Sequence, residues 1–265
     1  MRFAIGIEYD GRSGCGWQTQ ASHCGIQDHL QRALGAIAGH AVEVVAAGRT
    51  DAGVHALRMV AHFDTDAERP LNAWVRGANS GLPAGIAVQW ARPVDREFHA
   101  RFSAEERCYR YLLLNHPVRP AVLAGQCGWH HMPLGVEPMR AAAGHLIGKY
   151  DFSAFRAAEC QAPSPVKEVR EITVVRQRDF LILDFRADGF LHHMVRNIVG
   201  ALIRVGDGRE EPAWIRQLLA GRDRSRAAPT FMPDGLYLAD VRYADRWSLP
   251  EREGRSLLSA FPGAV

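Results

Sequence analysis

The sequence nearly lacks lysine. Lys149 and Lys167 stand alone among 32 basic residues, so the other 30 are arginines. Arginine suits bidentate phosphate contact and stacking on bases, although a GC-rich genome would leave the same bias. Asp and Glu number 29, and a net charge of +3 does not by itself mark a nucleic-acid binder. Long apolar runs are also missing. The opening MRFAIGIEYDG reaches Glu8 too soon for a secretory signal, and the most apolar helical stretch, residues 194–205, is interrupted by Arg196 and Arg204. A cytoplasmic protein that does not enter membranes is expected.

Several chemistries lose their usual signatures. Cys15, Cys24, Cys108, Cys127 and Cys160 form no CxxC pair, and their odd number fits free thiols in a reducing compartment better than a disulfide framework. No GxxxxGK[ST], HExxH, GxSxG or GxGxxG occurs, which removes the main supports for phosphate-loop, zincin, hydrolase-elbow and dinucleotide readings. GRSGCG, residues 11–16, comes nearest to a phosphate loop, lacks its spacing and reads as a flexible turn. The pairs His130-His131 and His192-His193 invite a metal, and a hydrolase could be built on His192, His193 and Asp188. Neighbouring helical residues project about 100° apart, however, and such a pair rarely shares one ion.

What is present is an ordinary globular composition, 47% hydrophobic over 265 residues, enough for one large core or two modest ones. FAIGIEYDG, VEVVAAG, RMVAHFDT and IAVQWARPV read as strands, GIQDHLQRALGAIAG as a helix with Ile26, Leu30, Ala33, Leu34 and Ile37 on one face, and RPLNAWVRGANSGLP as a helix from Pro70 to before Pro83. From Glu105 the pattern restarts. RCYRYLLLN and GLYLADVRY are expected strands, EVREITVVRQ with FLILDFRADGF a hairpin, and PMRAAAGHLIGKYD, HHMVRNIVGALIRVGDG and EPAWIRQLLAGRD helices. Neighbouring strands joined by short turns and mixed with helices predict an α+β fold with a largely antiparallel sheet. The expected division is 1–105, 106–246 and a loosely attached tail, 247–265. FAIGIEYDG and FLILDFRADGF share a Phe-x-Ile start and a glycine turn before a helix, a hint of internal duplication.

AGRTDAGVHA, residues 47–56, places Asp51 between Gly48 and Gly53. Glycine-bounded backbone lets a flat substrate or another chain segment approach closely. An Asx turn or helix N-cap would use the same residues for structure alone. On the later apolar helix, Val195, Ile198, Val199, Leu202 and Val205 form the buried stripe, with Arg196 at its edge. A cation there needs a carboxylate, for which Asp51, Asp184 and Asp188 compete.

GRTDAGVHA, IEYDG with GCGWQ, FHARFSA with YRY, DFSAFR and HHMVRNIVGAL, in this order over residues 3–243, closely resemble the TruA family of tRNA pseudouridine synthases. The resemblance implies a pseudouridine synthase fold of two pseudo-twofold related halves around a basic cleft, a homodimer, no cofactor and no metal. It implies isomerisation of uridine to pseudouridine at positions 38, 39 and 40 of the tRNA anticodon stem-loop. By the same match Asp51 is the catalytic acid, Arg196 its partner, Arg49 the residue that displaces the flipped base, and Tyr109 the ring that packs on the target uracil; Tyr111 stays structural. The chain departs from the family at Cys108, in DGREE and around Ala228 to Pro233.

The implied chemistry fits the residues. The N1–C1′ bond breaks, the uracil turns and C5 joins C1′, with no net oxidation or hydrolysis. A carboxylate can attack uracil C6 or sugar C1′, or act as a base after glycal formation. A cation such as Arg196 favours its ionised form, and a stacked uridine must first be flipped out.

Overall fold

A computed structural model describes residues 1–250. They group into two units, Met1–Glu105 with the chain from Tyr237, and Glu106–Leu236. The first contains β1 (Arg2–Tyr9), α1 (Ile26–Ala38), β2 (Val45–Ala46), β3 (His55–Asp64), a π turn (Ala73–Gly77) leading into α2 (Ala78–Gly81), β4 (Ile86–Val94) and the last strand, β10 (Leu236–Tyr243). The sheet order is β4-β1-β3-β10. β1 runs antiparallel to both β3 and β4, whereas β10 pairs with β3 in parallel through Tyr237 and Leu238. The last strand, expected with 106–246, thus groups with the first unit.

Burial explains the pattern. As a central strand, β1 hides Phe3, Ala4, Ile5, Ile7 and Tyr9, and Phe3 packs with Phe63 and the fully buried Trp74 of the π turn. Helix α1 opens where the Asp28 carboxylate accepts the Gly25 N–H (2.9 Å) and stops at Gly39, whose φ of 80° is left-handed. VEVVAAG, expected as a full strand, pairs only at Val45 and Ala46. The backbone of Val44 is satisfied by α1 instead, its N–H donating to Gln31 Oε1 (3.1 Å) and its carbonyl accepting from Gln27 Nε2 (3.0 Å).

The second unit holds β5 (Ala104–Asn115), β6 (Gly128–His130), α3 (Val136–Gly144), β7 (Gly148–Asp151), β8 (Val166–Gln177), β9 (Phe180–Ala187), α4 (Met194–Gly206) and α5 (Trp214–Gly221). Its sheet runs β5-β9-β8-β7, antiparallel throughout, with β6 added in parallel on β5. The expected β8–β9 hairpin forms. The helix expected through KYD ends at Gly144, because Gly148 takes a φ of 127° and the following residues become an edge strand against β8. Like β1, β9 lies between two antiparallel neighbours and precedes a helix in sequence, the feature shared by the two Phe-x-Ile segments. Mixed α/β structure with a mostly antiparallel sheet is therefore the fold.

Cys15 and Cys24 form a disulfide, contrary to the expectation of free thiols. The Cys15 N–H donates to the Cys24 carbonyl (2.9 Å), which closes a turn that no CxxC spacing announces and sets the Cα atoms 5.5 Å apart, within bridging range. Cys108 and Cys127 are buried free thiols and Cys160 a half-buried one. Among the described residues no helix is long and apolar enough to cross a membrane. Of the expected tail, 251–265 lies outside the described residues, while Trp247 packs edge-on against Phe98, with ring centroids 5.3 Å apart.

Candidate active site

In the first unit Asp51 sits on the link between β2 and β3, half-buried, with Thr50 buried before it and Arg49 exposed. A strand follows, so Asp51 is not a helix N-cap. The loop is clamped against the segment after β1. Trp17 donates its backbone N–H to the Thr50 carbonyl (2.9 Å), Gly53 donates to the Gly11 carbonyl (3.1 Å), and the Tyr9 hydroxyl meets Thr50 Oγ1 at 2.7 Å. Within the loop, Val54 donates to the Asp51 carbonyl (3.1 Å). The disulfide lies in the same clamping segment.

The glycines divide differently from the sequence expectation. Gly53 has a φ of 79°, but Gly48 has no positive φ and open space where a Cβ would stand. The close approaches come from the other side. A Cβ on Gly11 would lie 2.4 Å from the Val54 carbonyl oxygen, and Gly16, at φ 91°, would bring one 3.0 Å from that of Thr50. GRSGCG is thus the wall of the Asp51 loop and opens with a 3-10 turn capped by Asp10, rather than being a flexible turn. The Asp10 carboxyl is held below its usual range, first by hydrogen bonding to Arg12. The signal for this wall was present as two glycines five residues apart, but no local pattern says that a second loop rests on them.

In the second unit Tyr109 lies half-buried on β5, edge-on to Phe190 at 5.2 Å between ring centroids, opposite Phe185 in the ladder. Tyr111 is fully buried, as expected of a structural residue. Its hydroxyl donates to the Met232 carbonyl (2.9 Å), and Gly128 and Gly235 leave room for its ring, burial pushing the phenol pKa well up. Cys108 is also buried.

The predicted stripe of α4 is buried throughout, with Arg196 half-buried at its edge. Arg196 Nε donates to the Phe231 carbonyl (2.8 Å) and the Phe231 N–H returns to the Arg196 carbonyl (3.3 Å). Of its rival carboxylates, Asp184 forms a buried bidentate pair with Arg110 at 2.7 and 2.8 Å. Asp188 accepts the Glu168 N–H (3.0 Å).

Sequence reasoning missed what supports Phe231. Asn197, fully buried, donates to the Phe155 carbonyl (2.8 Å) and accepts from Thr230 Oγ1 (2.7 Å) and Arg224 (3.0 Å). Gly200 lets the Pro229 carbonyl approach to 2.5 Å of where a Cβ would stand. The divergent segment around Ala228 to Pro233 is therefore packed onto α4 next to Arg196.

His192 and His193 precede α4 rather than lying on it. His193 adopts a left-handed φ of 61°, and the two rings lie 3.9 Å apart between centroids, so the projection expected for helical neighbours does not describe them.

Comparison with known proteins agrees with both units. A family described as tRNA pseudouridine synthase matches residues 5–103 and 142–244. The chain belongs to this family. It is 62% identical over 255 residues to the tRNA pseudouridine synthase A of Thiobacillus denitrificans, covering 96% of this chain and 98% of that protein. The enzyme of the same name from Chromobacterium violaceum is 60% identical, covering 95% and 97%, and that of Methylobacillus flagellatus is 55% identical, covering 96% and 97%.

Proposed function

We propose that this protein is a tRNA pseudouridine synthase that isomerises uridine to pseudouridine at positions 38, 39 and 40 of the anticodon stem-loop, without a cofactor. The observation that carries the reading is a family match in both units combined with an acid loop whose backbone is pinned at Thr50 and Gly53. Asp51 is the attacking carboxylate, Arg196 its cationic partner, Arg49 the residue that fills the place of the flipped base, and Tyr109 the ring under the extracted uracil. Pinning Thr50 and Gly53 holds Asp51 in place before substrate arrives, the preorganisation that nucleophilic attack at a fixed ring needs.

The protein acts in the cytoplasm as a homodimer, which sedimentation at micromolar concentration tests by mass. Tritium release from [5-³H]uridine-labelled tRNA tests the reaction. The wild type releases label and Asp51→Ala does not, while both bind tRNA within a few-fold of each other. Release by Asp51→Ala near the wild-type rate removes Asp51 from the mechanism.

A further inference from the structure

Phe102 is 75% exposed, whereas the other phenylalanines and the tryptophans among the described residues are buried or half-buried. Its exposure is not that of a loose loop. Between β4 and β5 the chain buries Phe98 and Ala100 completely and turns Phe102 outward. The Ala100 N–H donates to His62 Nδ1 (3.2 Å), and its carbonyl accepts from the Tyr243 hydroxyl (2.6 Å). The carbonyls of Arg96 and Phe98 both accept from Arg2 (2.6 and 2.9 Å). His99 completes the hold. Its Nδ1 accepts the N–H groups of Arg101 and Phe102 (3.2 and 3.3 Å), while its own N–H meets Ser103 Oγ (3.0 Å) and its carbonyl accepts the Ser103 N–H (2.8 Å).

The ring is dressed with cationic and aromatic neighbours. The His99 ring lies 4.3 Å away at 31°, and the Arg101 guanidinium stands 5.6 Å from the ring centroid. A largely exposed aromatic ring carried on hydrogen-bonded backbone, with a guanidinium over it, has the chemistry that binds a single-stranded base, the ring taking the π-face and the cation turning to the adjoining phosphate.

We propose that Phe102 is a stacking platform for an unpaired base of the RNA substrate, with Arg101 on the neighbouring phosphate. This rests on the tRNA-modifying reading and adds a binding contact that Asp51, Arg49, Tyr109 and Arg196 do not supply.

The test is equilibrium binding of an unmodified tRNA transcript to Phe102→Ala, Phe102→Leu, Phe102→Tyr and Phe102→Trp, with Tm recorded for each. Stacking is lost in the first two, so their Kd rises about ten-fold or more, while Tyr and Trp stay within about three-fold of the wild type. Because the ring is exposed, all four keep the wild-type Tm within a few degrees. Equal Kd for Ala and wild type, or for Leu and Tyr, overturns the platform. So does a Phe102→Ala effect confined to self-association in sedimentation, which assigns the ring to a protein contact. Binding is read separately from turnover, so a wild type that binds tRNA without releasing tritium defeats the catalytic reading while the Phe102 series still decides this one.

Discussion

The backbone N–H of Trp17 donates to the carbonyl of Thr50 at 2.9 Å, tying the segment after the first strand to the residue before Asp51. Thr50 is fixed twice, since its hydroxyl meets that of Tyr9 at 2.7 Å. Asp51 therefore inherits its position from residues that do not touch it in sequence.

Gly16→Ala tests that inheritance. The new Cβ would stand on left-handed backbone, 3.0 Å from the Thr50 oxygen and 3.2 Å from the Asp51 carbonyl carbon. The expected cost is ~1–3 kcal/mol in stability and a loss of at least about ten-fold in kcat through displaced geometry. Tritium release and thermal unfolding measure the two. Gly48→Ala, which meets nothing within 4 Å, serves as the control for adding a methyl group to the same loop.

Asn197→Ala would leave the Phe155 carbonyl and the Thr230 hydroxyl without their buried partner. The expected destabilisation is ~1–3 kcal/mol, read from urea midpoints, with a lower kcat because the Phe231 carbonyl that holds Arg196 loses its support. A variant with unchanged midpoint and turnover would show that the network does not position Arg196.

The buried pair of Arg110 and Asp184 sets up a charge asymmetry. Arg110→Met strands a carboxylate that is only 5% exposed and is expected to cost ~3–5 kcal/mol. The double change Arg110→Met with Asp184→Leu should recover most of that loss. Denaturation of the two variants side by side checks it, and equal instability in both would point to packing rather than charge.

Stability should fall with acid in a defined window. Burial, with Arg2 and His99 adding positive charge nearby, lowers the His62 pKa from its ordinary 6.5 to about 4. The unfolded chain binds that proton first, so the contribution is complete above pH 6.5 and is lost as pH falls toward 4. His99 is also lowered, by burial first. The His62 share is on the order of 3 kcal/mol. Urea midpoints measured across this range for wild type and His62→Gln should show the flatter acid slope in the variant.

Much of the fold was legible because it rests on periodicity. The α4 stripe, the β8–β9 hairpin and the antiparallel arrangement follow from apolar spacing and turn residues. What was not legible depended on partners far away in the chain. Val44 leaves the strand pattern because Gln27 and Gln31 reach it, and Cys15 meets Cys24 because a backbone turn closes. His192 and His193 were expected on the helix, and the left-handed backbone of His193 places them before it instead. Asp51 and Arg196 stood out as a glycine-flanked acid and an arginine at the edge of an apolar stripe. Their supports, Gly11, Gly16, Asn197 and Arg224, carry no chemical signature of their own and become visible only when the loops they hold are seen.

The most direct test of the central claim is to map pseudouridine, base by base, in an unmodified tRNA transcript incubated with the protein. The account predicts pseudouridine among positions 38 to 40 with the wild type and unaltered uridine there with Asp51→Ala. Pseudouridine confined to another arm of the tRNA, or formed equally by Asp51→Ala, would contradict it.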